Sequence, residues 1–142
     1  MFYKKTIVFF GIISLLVTSL FAQTELVQNG DFSDGTTNWN LGQYGGSSAS
    51  GSVIDGEYRI LVTTTGSKVW NVQFTQTGLS LEQGKTYLFS FDAYKGPENS
   101  GNQSMEVNIG QSSSPWTSYF GSQDKTVILP TTKTRYTYSV VM

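Results

Sequence analysis

Three runs of the sequence place polar side chains at every second position, opposite a row of apolar ones. The runs are residues 69–76, 86–94 and 104–110. Their polar members are Asn71, Gln73, Ser90, Asp92, Tyr94, Glu106 and Asn108. A period of two is the pattern of β-strands, whose successive side chains point to opposite faces. If the three strands are neighbours, they form a sheet with an apolar underside and a polar upper face.

The residue types of this upper face suit a sugar ligand. Amides are planar donors and acceptors that pair with sugar hydroxyls, and aromatic rings can lie flat on the C–H faces of a pyranose. An antiparallel sheet also commonly leaves one side in water, but such a side usually carries many Lys and Glu. The residues alone therefore leave two interpretations open, a glycan-binding face and a plain solvated face.

Catalysis is the less favoured chemistry for this sequence. Asp92 and Glu106 could lie on adjacent strands, at the roughly 5 to 10 Å that separates the carboxylates of a glycosidase. However, a carboxylate pair on a polar sheet more often accepts hydrogen bonds, and nothing in the sequence indicates a deep pocket. The chain contains no His, which excludes a Ser-His-Asp triad.

The elements that must position these residues are short strands. Short β-type runs alternate with clusters of Gly, Ser, Asn and Thr, and no stretch keeps a helical period. Strands are predicted over residues 25–28, 57–63, 69–76, 86–94, 104–110, 126–129 and 135–142. This pattern is typical of one β-sandwich domain. Residues 42–52 are interpreted as a flexible connector, and residues 95–103 and 110–115 as rims of a site.

Trp70 is ambiguous within this pattern. Strict alternation places Trp70 with Val72 and Phe74 on the apolar side, away from Gln73, and aromatic residues are mostly buried. The indole ring reaches the polar face only if the strand has a bulge or begins after Trp70. Trp39 is expected in the core or as a lid over one end of the sandwich.

The N-terminal segment has the layout of a secretory signal peptide. Lys4 and Lys5 precede an apolar run from Ile7 to Leu20, followed by Phe21, Ala22 and Gln23. We therefore predict a signal peptide over residues 1–22, a mature domain over 23–142 and an extracellular location. Cleavage after Ser19 is an alternative. So is an uncleaved anchor, although the apolar run is shorter than the about 20 residues that span a bilayer.

The charge of the mature domain limits its expected partners, and its cysteine content limits how it is stabilised. Cleavage removes two of the nine basic residues and leaves seven against ten acidic ones, a net charge of −3. Phosphate binding needs a clustered excess of Lys and Arg, so nucleic acid is not an expected partner. The chain has no Cys, and its stability must come from a hydrophobic core rather than disulfides.

Three segments resemble the successive blocks of a known family. They are ELVQNGDFSDGTTNW (25–39), VWNVQFTQTGLSLEQGKTYLFSFDA (69–93) and MEVNIGQSSSPWTSY (105–119). In order and spacing they are similar to the CenC-type carbohydrate-binding modules, the group of families four, nine and twenty-two. The resemblance implies an antiparallel jelly-roll β-sandwich of the galactose-binding-like type. It also implies a cleft for soluble β-glycan chains such as xylan or β-glucan, no catalytic activity, and a covalently linked glycoside hydrolase domain.

The resemblance also implies particular site residues. Trp70 would line the cleft, Gln73 would contact sugar, and Trp116, with Tyr119 second, would complete the platform. With the polar face, the predicted carbohydrate-binding residues are Trp70, Gln73, Asn71, Asp92, Tyr94, Glu106, Asn108, Trp116 and Tyr119. The family often holds a structural calcium, to which Asp31 and Asp55 could contribute. Calcium takes about six to eight oxygens, and the solvated-turn interpretation is favoured for both residues.

Two further expectations remain. Family members continue for two or three more strands, so we expect the module to be incomplete at its C-terminus, with its last strand or strands missing. The alternative to a sugar-binding module is a secreted adhesion or structural β-sandwich without a sugar site. In that case Trp70 and Trp116 would both be buried.

Overall fold

The computed structural model describes residues 24–99, 101–121 and 125–142. The predicted signal peptide, residues 1–22, lies outside the described residues. Within the described ranges, no helix is long and apolar enough to cross a membrane.

The described part of the chain contains eight strands in four antiparallel pairs. The strands are β1 Asn40–Gln43, β2 Ser48–Ile54, β3 Glu57–Thr64, β4 Val72–Thr75, β5 Thr86–Ala93, β6 Gln103–Glu106, β7 Thr126–Leu129 and β8 Thr134–Val141. β1 pairs with β4, β2 with β3, β5 with β8, and β6 with β7. A single 3-10 turn, Val69–Asn71, precedes β4. The predicted all-β sandwich of antiparallel strands is confirmed.

The main core lies between the β5–β8 and β6–β7 pairs. Its buried members are Val107, Phe120, Val127 and Val140, and partly buried rings of β5 and β8 pack against them. Phe120 meets Tyr138 edge-on, with 5.1 Å between ring centroids. The two pairs belong to separate sheets, yet alternate side chains of both contribute to one cluster. They therefore pack face to face, and their outward rows point away from each other.

A second cluster of aromatic rings holds the N-terminal turn against β3 and β4. Phe74 is stacked between Trp39, at 4.8 Å, and Tyr58, at 4.3 Å between centroids. Phe32 tilts against the same rings. Trp39 also donates an indole hydrogen bond to the Asn29 carbonyl at 3.1 Å. Trp39 is thus a partly buried packing residue of this second cluster.

Several predictions about strands are wrong. Residues 107–110 lie outside β6, which ends at Glu106, and residues 69–71 form the 3-10 turn instead of the start of a strand. Residues 42–52 are not a connector, because they contain the end of β1 and the start of β2. β2 forms a hairpin with β3 through Asp55 and Gly56, both at positive φ, as a tight Asp-Gly hairpin turn requires. Residues 25–28 form no ladder. There Gln76 replaces a strand partner, accepting from the Gln28 N–H and donating to the Gln28 carbonyl at 2.8 and 2.7 Å.

Candidate carbohydrate-binding groove

Trp70 lies outside the strand that follows it. It occupies the middle of the 3-10 turn, and β4 begins only at Val72. The period of two therefore starts after Trp70 and does not force its ring into the core. The side chain is 53% exposed. This is the arrangement in which the strand begins after Trp70, and it frees the ring to face solvent.

Asn71 fixes that turn. Its side chain is 1% exposed, and its Oδ1 accepts a hydrogen bond from the Lys68 N–H at 2.8 Å. The amide packs so closely on two glycines that a Cβ at Gly45 or Gly66 would lie 2.6 or 2.5 Å from its atoms. Both glycines have positive φ. The prediction that Asn71 contacts a sugar is therefore wrong, because its amide is buried under the loop.

Gln73 connects the turn to β4. Its Nε2 donates a hydrogen bond to the Trp70 carbonyl at 2.8 Å. Gln73 pairs with Gly42 across β1 and β4, and opposite residues of an antiparallel pair share one face. The half-buried amide of Gln73 therefore lies beside the turn that carries Trp70, but Gln73 is not among the residues that line the groove, and its contact with sugar stays a prediction.

An open groove of about 270 Å³ runs between Trp70 and Trp116. Its lining residues are Val69, Trp70, Glu106, Asn108, Trp116, Ser118 and Lys125. Four of them, Trp70, Glu106, Asn108 and Trp116, are predicted site residues. The structure thus gathers residues from three separate sequence segments into one concave surface.

Trp116 is presented to solvent by a folded loop. Its side chain is 65% exposed, and its φ is +59°, a left-handed conformation that is unusual for a bulky residue. Backbone strain of this kind costs about 1 to 3 kcal/mol and concentrates at functional sites. The N–H of Trp116 donates to the Ser113 carbonyl at 2.9 Å, which closes the turn.

The floor of the groove joins β6 to the loop that carries Trp116. The Ser118 hydroxyl donates to Asn108 Oδ1 at 2.6 Å, and Gly110 forms a β-bridge with Ser118. A Cβ at Gly110 would lie 2.6 Å from the Thr117 carbonyl oxygen, so the close approach requires glycine. Asn108 is therefore held in a fixed orientation.

Three lining residues were missed by the sequence prediction. Ser118 follows Trp116 by two positions, and this same-face spacing could have identified it. Val69 adjoins Trp70 but carries no polar group that would single it out. Lys125 reaches the site because its carbonyl accepts from the Val107 N–H at 2.9 Å across the β6–β7 pair, a long-range contact without a sequence signal.

Asp92 and Tyr94 do not line the groove. Asp92 lies on the outward face of β5, where both its oxygens accept from Arg135, at 2.7 and 2.9 Å. The Tyr94 hydroxyl donates to Glu57, which also pairs with Lys133 at 2.8 Å. The prediction that Asp92 and Tyr94 share a face with Glu106 is wrong, because β5 and β6 lie in separate sheets whose outward rows diverge. The hypothetical Asp92–Glu106 catalytic pair fails for the same reason.

The partners of Asp92 and Glu57 determine their ionisation. The hydrogen bond from Arg135 lowers the pKa of Asp92, and the positive charges of Arg135 and Lys133 act in the same direction. Hydrogen bonds from Lys133 and then Tyr94 lower the pKa of Glu57. The bond to Glu57 raises the pKa of Tyr94. These groups form a polar network that links β3 to β5 and β8.

Tyr119 is also placed differently from its prediction. Its ring packs against the main core, and its N–H donates to the Ile109 carbonyl at 2.7 Å. Tyr119 does not line the groove. The one-residue step from Ser118 to Tyr119 turns the side chain to the opposite face.

Asp31 and Asp55 do not form a carboxylate-rich metal site. Asp31 Oδ1 accepts from the N–H and the hydroxyl of Ser33, at 3.2 and 2.9 Å, and these bonds lower its pKa. Asp55 lies in the β2–β3 turn, 3.8 Å from Arg59. Among the residues that the structure describes, no three His, Cys, Asp or Glu side chains cluster as metal ligands. Calcium also takes backbone carbonyl oxygens, and a Cβ at Gly56 would lie 3.7 Å from the Asp31 carbonyl oxygen, so a calcium site that uses Asp31 and Asp55 stays a prediction.

Comparisons with known proteins identify the family of the chain and a structure of similar fold. The family model CBM_4_9, described as a carbohydrate binding domain, matches residues 24–142. A solved structure described as "CBM4 structure and function" is similar to the chain, with 28% identity and a TM-score of 0.68. The match covers 80% of this chain and 77% of that one. A comparison with curated protein sequences found no match.

Proposed function

Because the chain belongs to the carbohydrate binding domain family, a family of non-catalytic binding modules, we propose that its groove binds a β-linked polysaccharide of the xylan or β-glucan type. The observation that carries this proposal is the pair of exposed tryptophans, Trp70 and Trp116, that line one groove together with polar side chains. Each indole offers a flat apolar surface on which a pyranose ring can lie.

The exposure of both indoles supports a ligand at this position. Trp70 and Trp116 are more than half exposed, although a core of aromatic rings is available elsewhere in the chain. Apolar surface left in water and rimmed by polar residues marks interaction sites. Stacking a sugar on these rings removes that surface from water, which stabilises the complex.

The polar groups of the groove favour a neutral, hydroxyl-rich ligand. Glu106 supplies acceptors, Lys125 supplies donors, and the Asn108 amide supplies both. Because the two side chains of opposite charge line the same groove, a polyanion or polycation would meet one like charge. Sugar hydroxyls both donate and accept, so they can use all three side chains.

The size of the groove favours weak binding of a short stretch of chain. At about 270 Å³, it lies just below the range of about 300 to 1,000 Å³ that is typical of small-molecule pockets. The free energy gained from these few contacts must offset the entropy that the ligand loses when it is ordered in the groove. Linkage to a second module raises the effective affinity. We therefore extend the proposal to an accessory role in a secreted protein that also carries a glycoside hydrolase domain.

Affinity electrophoresis tests the proposal directly. The domain is run in native gels that contain xylan, β-glucan or mannan, beside gels without polysaccharide and a non-binding marker protein. We expect retardation in xylan or β-glucan and no release of reducing sugar. Equal mobility in every gel would contradict sugar binding, and reducing-sugar release would contradict the non-catalytic role.

A further inference from the structure

Tyr44 exposes an aromatic ring next to Trp70, outside the residues that line the groove. Its side chain is 49% exposed. The ring centroids of Tyr44 and Trp70 lie 6.5 Å apart, and their planes are inclined by 54°. The exposed aromatic surface of the groove therefore extends from Trp70 to a second ring, that of Tyr44.

A glycine determines where the Tyr44 ring lies. A Cβ at Gly42 would stand 2.8 Å from Tyr44 Cε2 and 2.9 Å from its hydroxyl oxygen. The ring therefore lies directly against the backbone of β1, where any other residue would displace it. Gly42 is opposite Gln73 in the β1–β4 pair. The Tyr44 ring and the Gln73 amide thus share one face.

One buried residue anchors both rings. The Tyr44 N–H donates to the Asn71 carbonyl at 2.8 Å, and Asn71 directly follows Trp70 in the 3-10 turn. The Tyr44 carbonyl accepts from the Ser47 N–H at 3.0 Å. Because the backbone on both sides of the ring pair is fixed before a ligand arrives, binding has less conformational entropy to lose.

We infer that Tyr44 is a third sugar-stacking residue, and that a bound chain passes over Tyr44, Trp70 and Trp116 in turn. This inference rests on the proposed function. The expected ligand is an internal stretch of one soluble chain, with at least one sugar ring for each aromatic side chain. A flat crystalline glycan surface needs coplanar rings, whereas the 54° between Tyr44 and Trp70 suits a chain that twists from one sugar to the next.

A chain-length series tests the role of Tyr44. Titration calorimetry compares the wild type with Tyr44→Ala, Tyr44→Leu and Tyr44→Phe. The probes are xylo-oligosaccharides and mixed-linkage β-gluco-oligosaccharides, from the disaccharide to the hexasaccharide. Tyr44→Ala and Tyr44→Leu should weaken hexasaccharide binding about tenfold, in line with the loss of one aromatic contact. Their disaccharide affinity should stay unchanged, and Tyr44→Phe should bind like the wild type.

Two controls separate stacking from stability. Tyr44→Leu keeps an apolar cover over Gly42, so its melting temperature should match that of the wild type even if Tyr44→Ala loses stability. Tyr94→Ala removes another exposed tyrosine, on the β5 side, and should leave hexasaccharide affinity unchanged. Wild-type hexasaccharide affinity in a folded Tyr44→Leu variant would overturn this inference while the proposed function stands. Failure of the wild type to bind any probe or polysaccharide would overturn both.

Discussion

The side-chain amide of Gln73 donates a hydrogen bond of 2.8 Å to the backbone carbonyl of Trp70. Strict alternation would place these two residues on opposite sides of one strand. The 3-10 turn before β4 brings them together instead. The Gln73 amide therefore holds the turn that presents Trp70, and a substitution tests whether ligand binding depends on this amide.

Gln73→Ala should weaken polysaccharide binding about tenfold with little loss of stability. The substitution removes one hydrogen bond that water can replace, and such a loss lowers the free energy of unfolding by about 1 kcal/mol. Affinity electrophoresis measures the polysaccharide binding, and urea denaturation measures the free energy of unfolding. Gln76→Ala is the contrasting variant, because the Gln76 amide makes two hydrogen bonds to the backbone of Gln28; it should lose stability rather than affinity. Equal binding by Gln73→Ala and the wild type would exclude a ligand contact at Gln73.

Trp70→Ala should abolish retardation in polysaccharide gels while the circular dichroism spectrum stays unchanged. The ring is 53% exposed, so its removal leaves little cavity in the core. Trp39→Ala is the contrasting variant, since Trp39 stacks on Phe74 at 4.8 Å. Its loss should destabilise the domain by about 3 kcal/mol. Unfolding of Trp70→Ala would show that the ring is a packing residue.

Asn71→Ala should destabilise the domain by about 2 kcal/mol, since it leaves the Lys68 N–H without its side-chain acceptor inside a close-packed turn. Denaturant unfolding followed by tryptophan fluorescence gives the value. Asn108→Ala offers the comparison, because Asn108 is exposed in the groove. It should lose affinity rather than stability. The reverse pattern, a stable Asn71→Ala that cannot bind, would restore Asn71 as a ligand contact.

The ion pair of Asp92 and Arg135 should make stability fall in acid. The pKa of Asp92 is lowered from its ordinary value of 3.8 by the folded state. Its stabilising contribution is therefore present above the ordinary value and is lost as the pH falls through the lowered one. Melting temperatures of the wild type and Asp92→Asn, measured from about pH 7 to pH 2, should differ at neutral pH and converge at the acid end. A constant difference across this range would show that the ion pair does not drive the dependence.

Calcium should contribute little to the stability of the described domain. Asp31 already accepts two hydrogen bonds from Ser33, and Asp55 faces Arg59. Thermal unfolding in calcium chloride and in a chelator should give the same melting temperature. A higher melting temperature in calcium that Asp31→Asn removes, while magnesium has no effect, would demonstrate a site that uses the Asp31 carboxylate.

The bounds of β7 and the alternation of β5 were predicted correctly from the sequence. β7 spans Thr126–Leu129 as predicted, and β5 turns Phe89 and Phe91 toward the core with Ser90 and Asp92 outward. Residues 42–52 were misassigned because Gly and Ser have low strand propensity, whereas pairing with β3 holds β2 in place. The strand propensity of a segment contains no information about the neighbouring strand that pairs with it. A segment of low propensity, such as β2, can therefore be a strand because its partner stabilises it.

The sequence by itself determined the fold class, the family and the apolar side of strands such as β5, because these depend on local period and on short blocks of residues. The tertiary structure alone decided which outward rows share a surface. Alternation orients a side chain relative to its own strand, but it contains no information about the sheet to which that strand belongs. The groove therefore unites Trp70, Glu106, Asn108 and Trp116 and excludes Asp92 and Tyr94. Tyr44 came beside Trp70 through the hydrogen bond of its N–H to the Asn71 carbonyl, a contact between distant segments that no local pattern indicates.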